Sequence, residues 1–275
     1  MKICRKEPAG FTLIELLVAT AIIALMLAIF SQLVGGITKI YQFSQARTEN
    51  NNLGRAILDS MATDLKQAII RPDLEFIAEK NTAAVRSIKF YCQRPGTFRA
   101  GAPGSNMTAA RSASIVEYVF YRDGNDKGYI ARRDRPVSWT TSQTVIPIGN
   151  TTAISDLDSV TEETRIYEGM VGFDYCYLRS DGSVDSSLTS GTLPIVALRV
   201  AVAVVEKSGL QLLKARNQLG DMVNVFSGNG TIQNAGIKTW TDCLNQQGAR
   251  FPNRVVQGVS FYERTVPLST PYIVQ

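Results

Sequence analysis

The chain has 275 residues, no histidine, four cysteines and a formal charge of +5. Lacking histidine, it cannot form a Ser–His–Asp triad, a histidine acid–base pair or a histidine metal site. Lys2, Arg5 and Lys6 against Glu7 place +2 of the charge in the first ten residues, so the rest carries +3, too mild to imply nucleic acid as a partner.

Residues 1–10 are short, basic and end in Gly10; an apolar run follows in which Thr20 is the only polar side chain from Leu16 to Phe30. A helix from Phe11 to Val34 spans about 36 Å at about 1.5 Å per residue, enough for a hydrocarbon core of about 30 Å. The basic residues before it are expected to stay in the cytoplasm and the rest to go outward, with one pass through the cytoplasmic membrane. An ordinary signal peptide closes its apolar core with a small-residue cleavage site, but here the small residue, Gly10, precedes the core. Glu15 is the second departure from a plain anchor. A carboxylate within a membrane helix costs about 2.5–3.5 kcal/mol on insertion scales and is usually paired or functional.

Gly10-Phe11-Thr12-Leu13-Ile14-Glu15 resembles the cleavage and methylation motif of type IV prepilins at every position. The resemblance implies cleavage by prepilin peptidase between Gly10 and Phe11 and methylation of the new Phe11 amine. It also implies an assembly role for Glu15, whose carboxylate would meet the Phe11 ammonium of an adjacent subunit where water is scarce. The implied partners are the peptidase, other major and minor pilins or pseudopilins, and an inner-membrane assembly platform.

Past Gly35-Gly36 the helical period continues through Ile37, Ile40, Tyr41, Leu53, Ile57, Met61, Leu65, Ala68 and Ile69. Pro72 is expected to end the helix, near Arg71. The expected organisation is therefore a leader over 1–10, a membrane helix over 11–36, an amphipathic half over 37–71 and a β-rich head over 72–275. Alternation and turn residues predict strands over Val85–Cys92, Ile115–Tyr121, Gly128–Arg132, Val171–Leu178, Ile195–Glu206 and Val255–Val266. Ile195–Glu206 reads as half-buried, packing on a layer such as the long helix. Residues 93–113 read as a long loop, and a short helix is plausible between Leu210 and Phe226. The fold class is α+β, a long N-terminal helix on an antiparallel sheet.

This order also resembles the larger minor pseudopilins, the J-type subunit of type II secretion and the related W-type minor pilins. The matching residues are Arg55-Ala56, Asp64-Leu65-Lys66-Gln67-Ala68, Tyr118, Arg132, Met170–Tyr175 and Leu193–Val200. It implies a structural, non-enzymatic subunit that initiates or caps a secretion pseudopilus or a type IV pilus. The alternative is a pilin-like binding module whose head captures DNA, a glycan or a secreted substrate, which a contiguous basic or aromatic patch would favour.

Asp123, Asn125 and Asp126 resemble part of a calcium loop, but the segment is short and ends without the required Glu. Between two strands it reads as a turn, so no cofactor is expected and calcium is the weaker alternative. Arg132-Arg133-Asp134-Arg135 reads as a solvated strand end, without the aromatic platform a nucleic-acid site would carry. Cys4 lies in the leader. Cys92, Cys176 and Cys243 allow at most one intramolecular disulfide, with the pairing open, and no close Cys spacing suggests a metal.

Overall fold

Helix α1 runs from Leu13 to Lys66. It is described in a computed structural model covering residues 12–70, 77–82, 84–94, 113–124, 127–137, 162–186, 193–228 and 237–272. The chain divides into two units, Met1–Thr48 and Glu49–Gln275.

In the first unit α1 is rich in Leu, Ile, Ala and Met and exposed wherever its side chains are described. It is the one helix among the described residues long and apolar enough to cross a membrane. Its threonines do not interrupt the run. Thr20 donates to the Leu17 carbonyl (2.9 Å) and Thr38 to the Val34 carbonyl (2.8 Å), so each hydroxyl is satisfied by its own helix.

In the second unit α1 becomes one-sided. Asn50, Gly54, Ile57, Leu58, Met61, Ala62, Asp64 and Leu65 are buried, a spacing of three and four that puts them on one stripe. The helix stops at Lys66, short of the expected Arg71. Its last turn tightens through Gln67 N–H to Asp64 C=O (3.1 Å) and Ala68 N–H to Leu65 C=O (3.1 Å). The backbone then pairs with the next hairpin, with Ile69 N–H donating to Tyr91 C=O (2.8 Å) and Gln93 N–H to Gln67 C=O (2.8 Å). Ala68 and Ile69 thus face the core from extended chain, which satisfies the helical apolar period without a helix.

The head holds two antiparallel sheets rather than one. β1 (Ile77–Asn81), β2 (Val85–Cys92), β3 (Ala113–Tyr121), β4 (Tyr129–Val137) and β5 (Glu162–Glu168) form a meander in that order. β6 (Met170–Arg179), β7 (Val184–Asp185), β8 (Ile195–Val205) and β9 (Val259–Tyr272) form the second sheet, ordered β7-β6-β8-β9. Gly169 alone separates β5 from β6. Its φ of +108° turns the chain from one sheet into the other, a conformation that favours glycine. The sheets join through Phe120 against Phe173, edge to face with centroids 6.4 Å apart, and through the Tyr175 hydroxyl on the Ser87 carbonyl (3.1 Å).

β8 is buried on both faces along most of its length, not half-buried as its alternation suggests. Its alanine face is buried as well as its valine face. Helices α2 (Lys207–Ala215), α3 (Leu219–Gly228), α4 (Ile237–Gln247) and α5 (Asn253–Gln257) follow before β9. α3 seats Phe226 over Gly172 of β6, where an added Cβ would lie 3.1 Å from Phe226 Cβ. Two helices therefore occupy the ambiguous 210–226 segment. The strand expected from Val255 starts at Val259, because residues 253–257 are helical.

Candidate functional site

Gly10 and Phe11 lie outside the described residues. From Thr12 onward the motif has a definite geometry. The Glu15 N–H donates to Thr12 Oγ1 (3.3 Å), while the Thr12 N–H and hydroxyl each donate to Glu15 Oε2 (3.0 Å). Leu16 N–H reaches the Thr12 carbonyl at 3.2 Å. This is a capping box, in which Thr and Glu three residues apart each satisfy a backbone donor that the helix start leaves open. The Thr-x-x-Glu spacing is itself the sequence signal of such a cap. The prepilin-like motif therefore also starts its own helix, and the Glu15 carboxylate is hydrogen-bonded yet fully exposed on its outer side.

The second arrangement lies at the other end of α1. Asp64 is completely buried. Its Oδ1 accepts from Arg94 Nη1 (2.6 Å); its Oδ2 accepts from the Tyr118 hydroxyl (2.7 Å) and from Arg132 Nε (2.7 Å). Arg132 Nη1 also donates to Asp134 Oδ2 (2.8 Å), and Ser60 Oγ lies 3.1 Å from the Tyr118 oxygen. Burial disfavours the Arg132 charge, but the bonds to Asp64 and Asp134 outweigh it and push its pKa up. Burial, and then the Asp64 charge, push Tyr118 up, so it remains a phenol donor. Asp64, Tyr118 and Arg132, read separately in sequence, meet here. Arg94 has no local signal, since it falls in the 93–113 segment whose composition reads as a loop.

Over Arg132–Asp134 the basic run is not a solvated strand end, while the Arg135 side chain lies outside those described. Arg132 serves Asp64, Asp134 is buried, and Arg133 lies 3.6 Å from Glu117, itself held by Ser87 Oγ (2.8 Å). Asp64 on α1 draws Arg132 inward, and Glu117 on the neighbouring strand β3 draws Arg133. Asp123 Oδ1 accepts the Gly124 N–H at 2.7 Å, a turn contact; Asn125 and Asp126 fall outside the described residues. No group of acidic or cysteine residues poised for a metal exists among the described residues. Cys92, Cys176 and Cys243 are all buried and free.

Residues 5–31 match the family model described as the prokaryotic N-terminal methylation motif. No curated protein matches the chain. The motif supports a type IV prepilin-like protein, processed by prepilin peptidase and assembled with other pilins, and it points to a structural rather than enzymatic role. With the apolar α1 it suggests a membrane-anchored chain. The long N-terminal helix with two antiparallel sheets fits a pilin-like α+β fold.

Proposed function

We propose that this chain is a minor pseudopilin or minor pilin, most like the J-type pseudopilin of type II secretion or the W-type minor pilins, that initiates or caps a filament. The observation that carries the reading is the cleavage and methylation motif on an exposed apolar helix followed by a head of more than two hundred residues. A head that large suits a subunit used in few copies. The meeting of Asp64, Tyr118 and Arg132 supports the subtype, because those residues carry the second resemblance and lock the helix end to the first sheet. The head lies outside the inner membrane, and Glu15 pairs with the Phe11 amine of a neighbour.

The test begins with mass spectrometry of the membrane form co-expressed with a prepilin peptidase. The expected N-terminus is Phe11, methylated; an intact 1–10 segment in the assembled form overturns the reading. Glu15→Leu should insert and fold its head normally but lose crosslinking to partner pilins and filament output, since it removes the intersubunit pair along with the Thr12 capping contact at the start of α1. Glu15→Asp should be intermediate, because its charge remains while its reach shortens. Full filament output from Glu15→Leu would show that the carboxylate is dispensable in this subunit.

A further inference from the structure

The longest strand among the described residues, β9 with 14 residues, is an outer strand: in the order β7-β6-β8-β9 no described strand lies beyond it. The other outer strands, β1, β5 and β7, have 5, 7 and 2 residues. A long open edge is a template for pairing with another chain, which is why outer strands are commonly short or covered. Glu206 N–H donates to the Gly258 carbonyl (3.1 Å), one step before Val205 meets Val259. Hydrogen-bonded pairs alternate along an antiparallel ladder. Tyr262 and Arg264, opposite Val202 and Val200, therefore bond to β8, while Phe261, Glu263 and Thr265 turn their N–H and C=O groups to the open side. Pro267 falls in the same outward series, where its missing N–H costs the sheet nothing. Those outward groups of Phe261, Glu263 and Thr265 have no partner among the described residues.

The open side borders a groove of about 510 Å³ lined by Arg55, Leu58 and Asp59 of α1 and by Tyr262, Glu263 and Arg264 of β9. Tyr262 and Arg264 face α1, through the Tyr262 hydroxyl on Asn51 and the Arg264–Asp59 ion pair. Glu263 and Thr265 alternate with them, so they lie on the opposite face, where both are exposed. Asp59 and Arg264 satisfy each other, whereas the exposed Arg55 and Glu263 have no ion-pair partner among the described residues. One open cation therefore stands on the α1 side of the edge and one open carboxylate on the other. A strand laid along β9 alternates its side chains between those two sides, and opposite charges facing each other across strands support a register. The matching strand carries a carboxylate flanked by apolar residues toward Arg55 and Leu58, and lysine or arginine beside Glu263. The methylation motif points to assembly with other pilins, which brings other heads beside this one. We propose that β9 accepts an extended segment of this alternating kind from an adjoining pilin-class subunit, as an added strand of the second sheet. Backbone pairing supplies the affinity, and the two open charges select the segment. The identity of the donor rests on the filament reading; the added strand does not.

The probe is a fluorescent, end-blocked peptide, Thr-Val-Lys-Glu-Lys-Val-Thr, titrated into the mature full-length chain in zwitterionic nanodiscs. Saturable binding with a Kd below about 1 mM is expected. Residue-resolved amide exchange should slow at Phe261, Glu263 and Thr265 and stay unchanged at Tyr262 and Arg264, which already bond to β8. Methylating the backbone nitrogens of the two lysines, or instead those of the valines and the glutamate, should abolish binding in one case and spare it in the other, because only alternate amides face β9. Exchanging every Lys and Glu of the peptide should weaken binding at least about fivefold, and Arg55→Glu/Glu263→Lys should restore it. Thr265→Pro takes a donor from the open edge and should weaken binding about tenfold, whereas Thr265→Val should stay within about twofold, both with an unchanged near-ultraviolet circular dichroism spectrum. No saturable binding up to about 1 mM peptide, or equal loss from both methylated peptides, overturns the proposal. A dimer of the unliganded chain that Thr265→Pro abolishes gives the edge to a second copy and also overturns it. In filaments, Thr265→Cys carrying a photo-crosslinker should capture a partner pilin; peptide binding without that capture overturns the choice of donor. The filament reading fails on an uncleaved 1–10 segment, which leaves peptide binding untouched, so the two failures are distinguishable.

Discussion

Asp64 shows how much one side chain can hold together. Its carboxylate is fully buried and receives three donors, from Arg94, Tyr118 and Arg132. Such a group is strongly destabilising when one partner is deleted, because the rest stay buried and uncompensated. Asp64→Ala should therefore cost about 3–5 kcal/mol in urea unfolding of the head. Tyr118→Phe keeps the ion pairs and loses one hydroxyl, so about 1–3 kcal/mol is expected. Equal costs would mean that the ion pairs contribute nothing. The cysteines give a second residue-scale prediction. Burial pushes the Cys92 and Cys176 thiols up to about 11 from an ordinary value of 9.0. The native state then favours the neutral thiols, and their contribution is fully present below about pH 9. As pH rises from about 9 to about 11, the unfolded chain ionises first and stability falls. Urea midpoints measured from pH 8 to 11 should drop across that window. At pH 8 a thiol reagent should modify none of the three cysteines until the head is unfolded, when all three should react; a reducing agent should leave the midpoint unchanged.

The elements explain what the sequence discloses and what it conceals. β2 is legible to the residue, because Val85–Cys92 carries β-branched and aromatic residues between turn signals. β5 is not, because Glu-Glu-Thr-Arg-Ile-Tyr-Glu shows no apolar alternation. Its place comes from its neighbours: Lys89 pairs with Glu117, Glu117 with Arg133 and Arg133 with Glu163 across β2 to β5. That alternating ladder exists only once the strands align, and opposite charges facing each other support the register. At the first candidate site the motif was fully legible because it is contiguous, while Arg94 was hidden because its partner lies thirty residues away. Glycines in α1 make a similar contrast. At Gly54 an added Cβ would sit 2.3 Å from the Tyr262 ring, while Gly35 and Gly36 have nothing within 4 Å. Gly54→Ala should cost about 1–3 kcal/mol of head stability by overpacking, against its gain in helix propensity. Gly35→Ala and Gly36→Ala should each favour the helix by about 1 kcal/mol, seen as increased helical circular dichroism in micelles. A stabilising Gly54→Ala would remove the close approach of β9 to the helix.

At the scale of the whole molecule, the question is where the self-sufficient fold begins. Notional boundaries at residue 36 and residue 48 differ by twelve residues of α1, and these are exposed wherever their side chains are described, with Ile37 at 65%, Ile40 at 72% and Tyr41 at 68%. Burial starts at Asn50, 4% exposed, whose amide donates to the Gly258 carbonyl at 3.4 Å. The core continues through Ile57, Met61 and Leu65 into both sheets. A chain starting at Ile37 should therefore be a folded monomer in water, since the uninterrupted apolar surface has gone with the anchor. Deleting residues 37–48 as well removes side chains that bury almost nothing, so the urea midpoint should move by less than about 0.5 kcal/mol equivalent. Deleting onward to Asp59 removes Asn50, Gly54, Ile57 and Leu58 from the core and should unfold the head, since each buried aliphatic side chain lost costs about 2–5 kcal/mol. Sedimentation and urea titration of the three chains separate the cases. A large drop between the first two would mean that residues 37–48 hold the head together. Aggregation of both under mild conditions would mean that the amphipathic part of α1 is stable only against a partner.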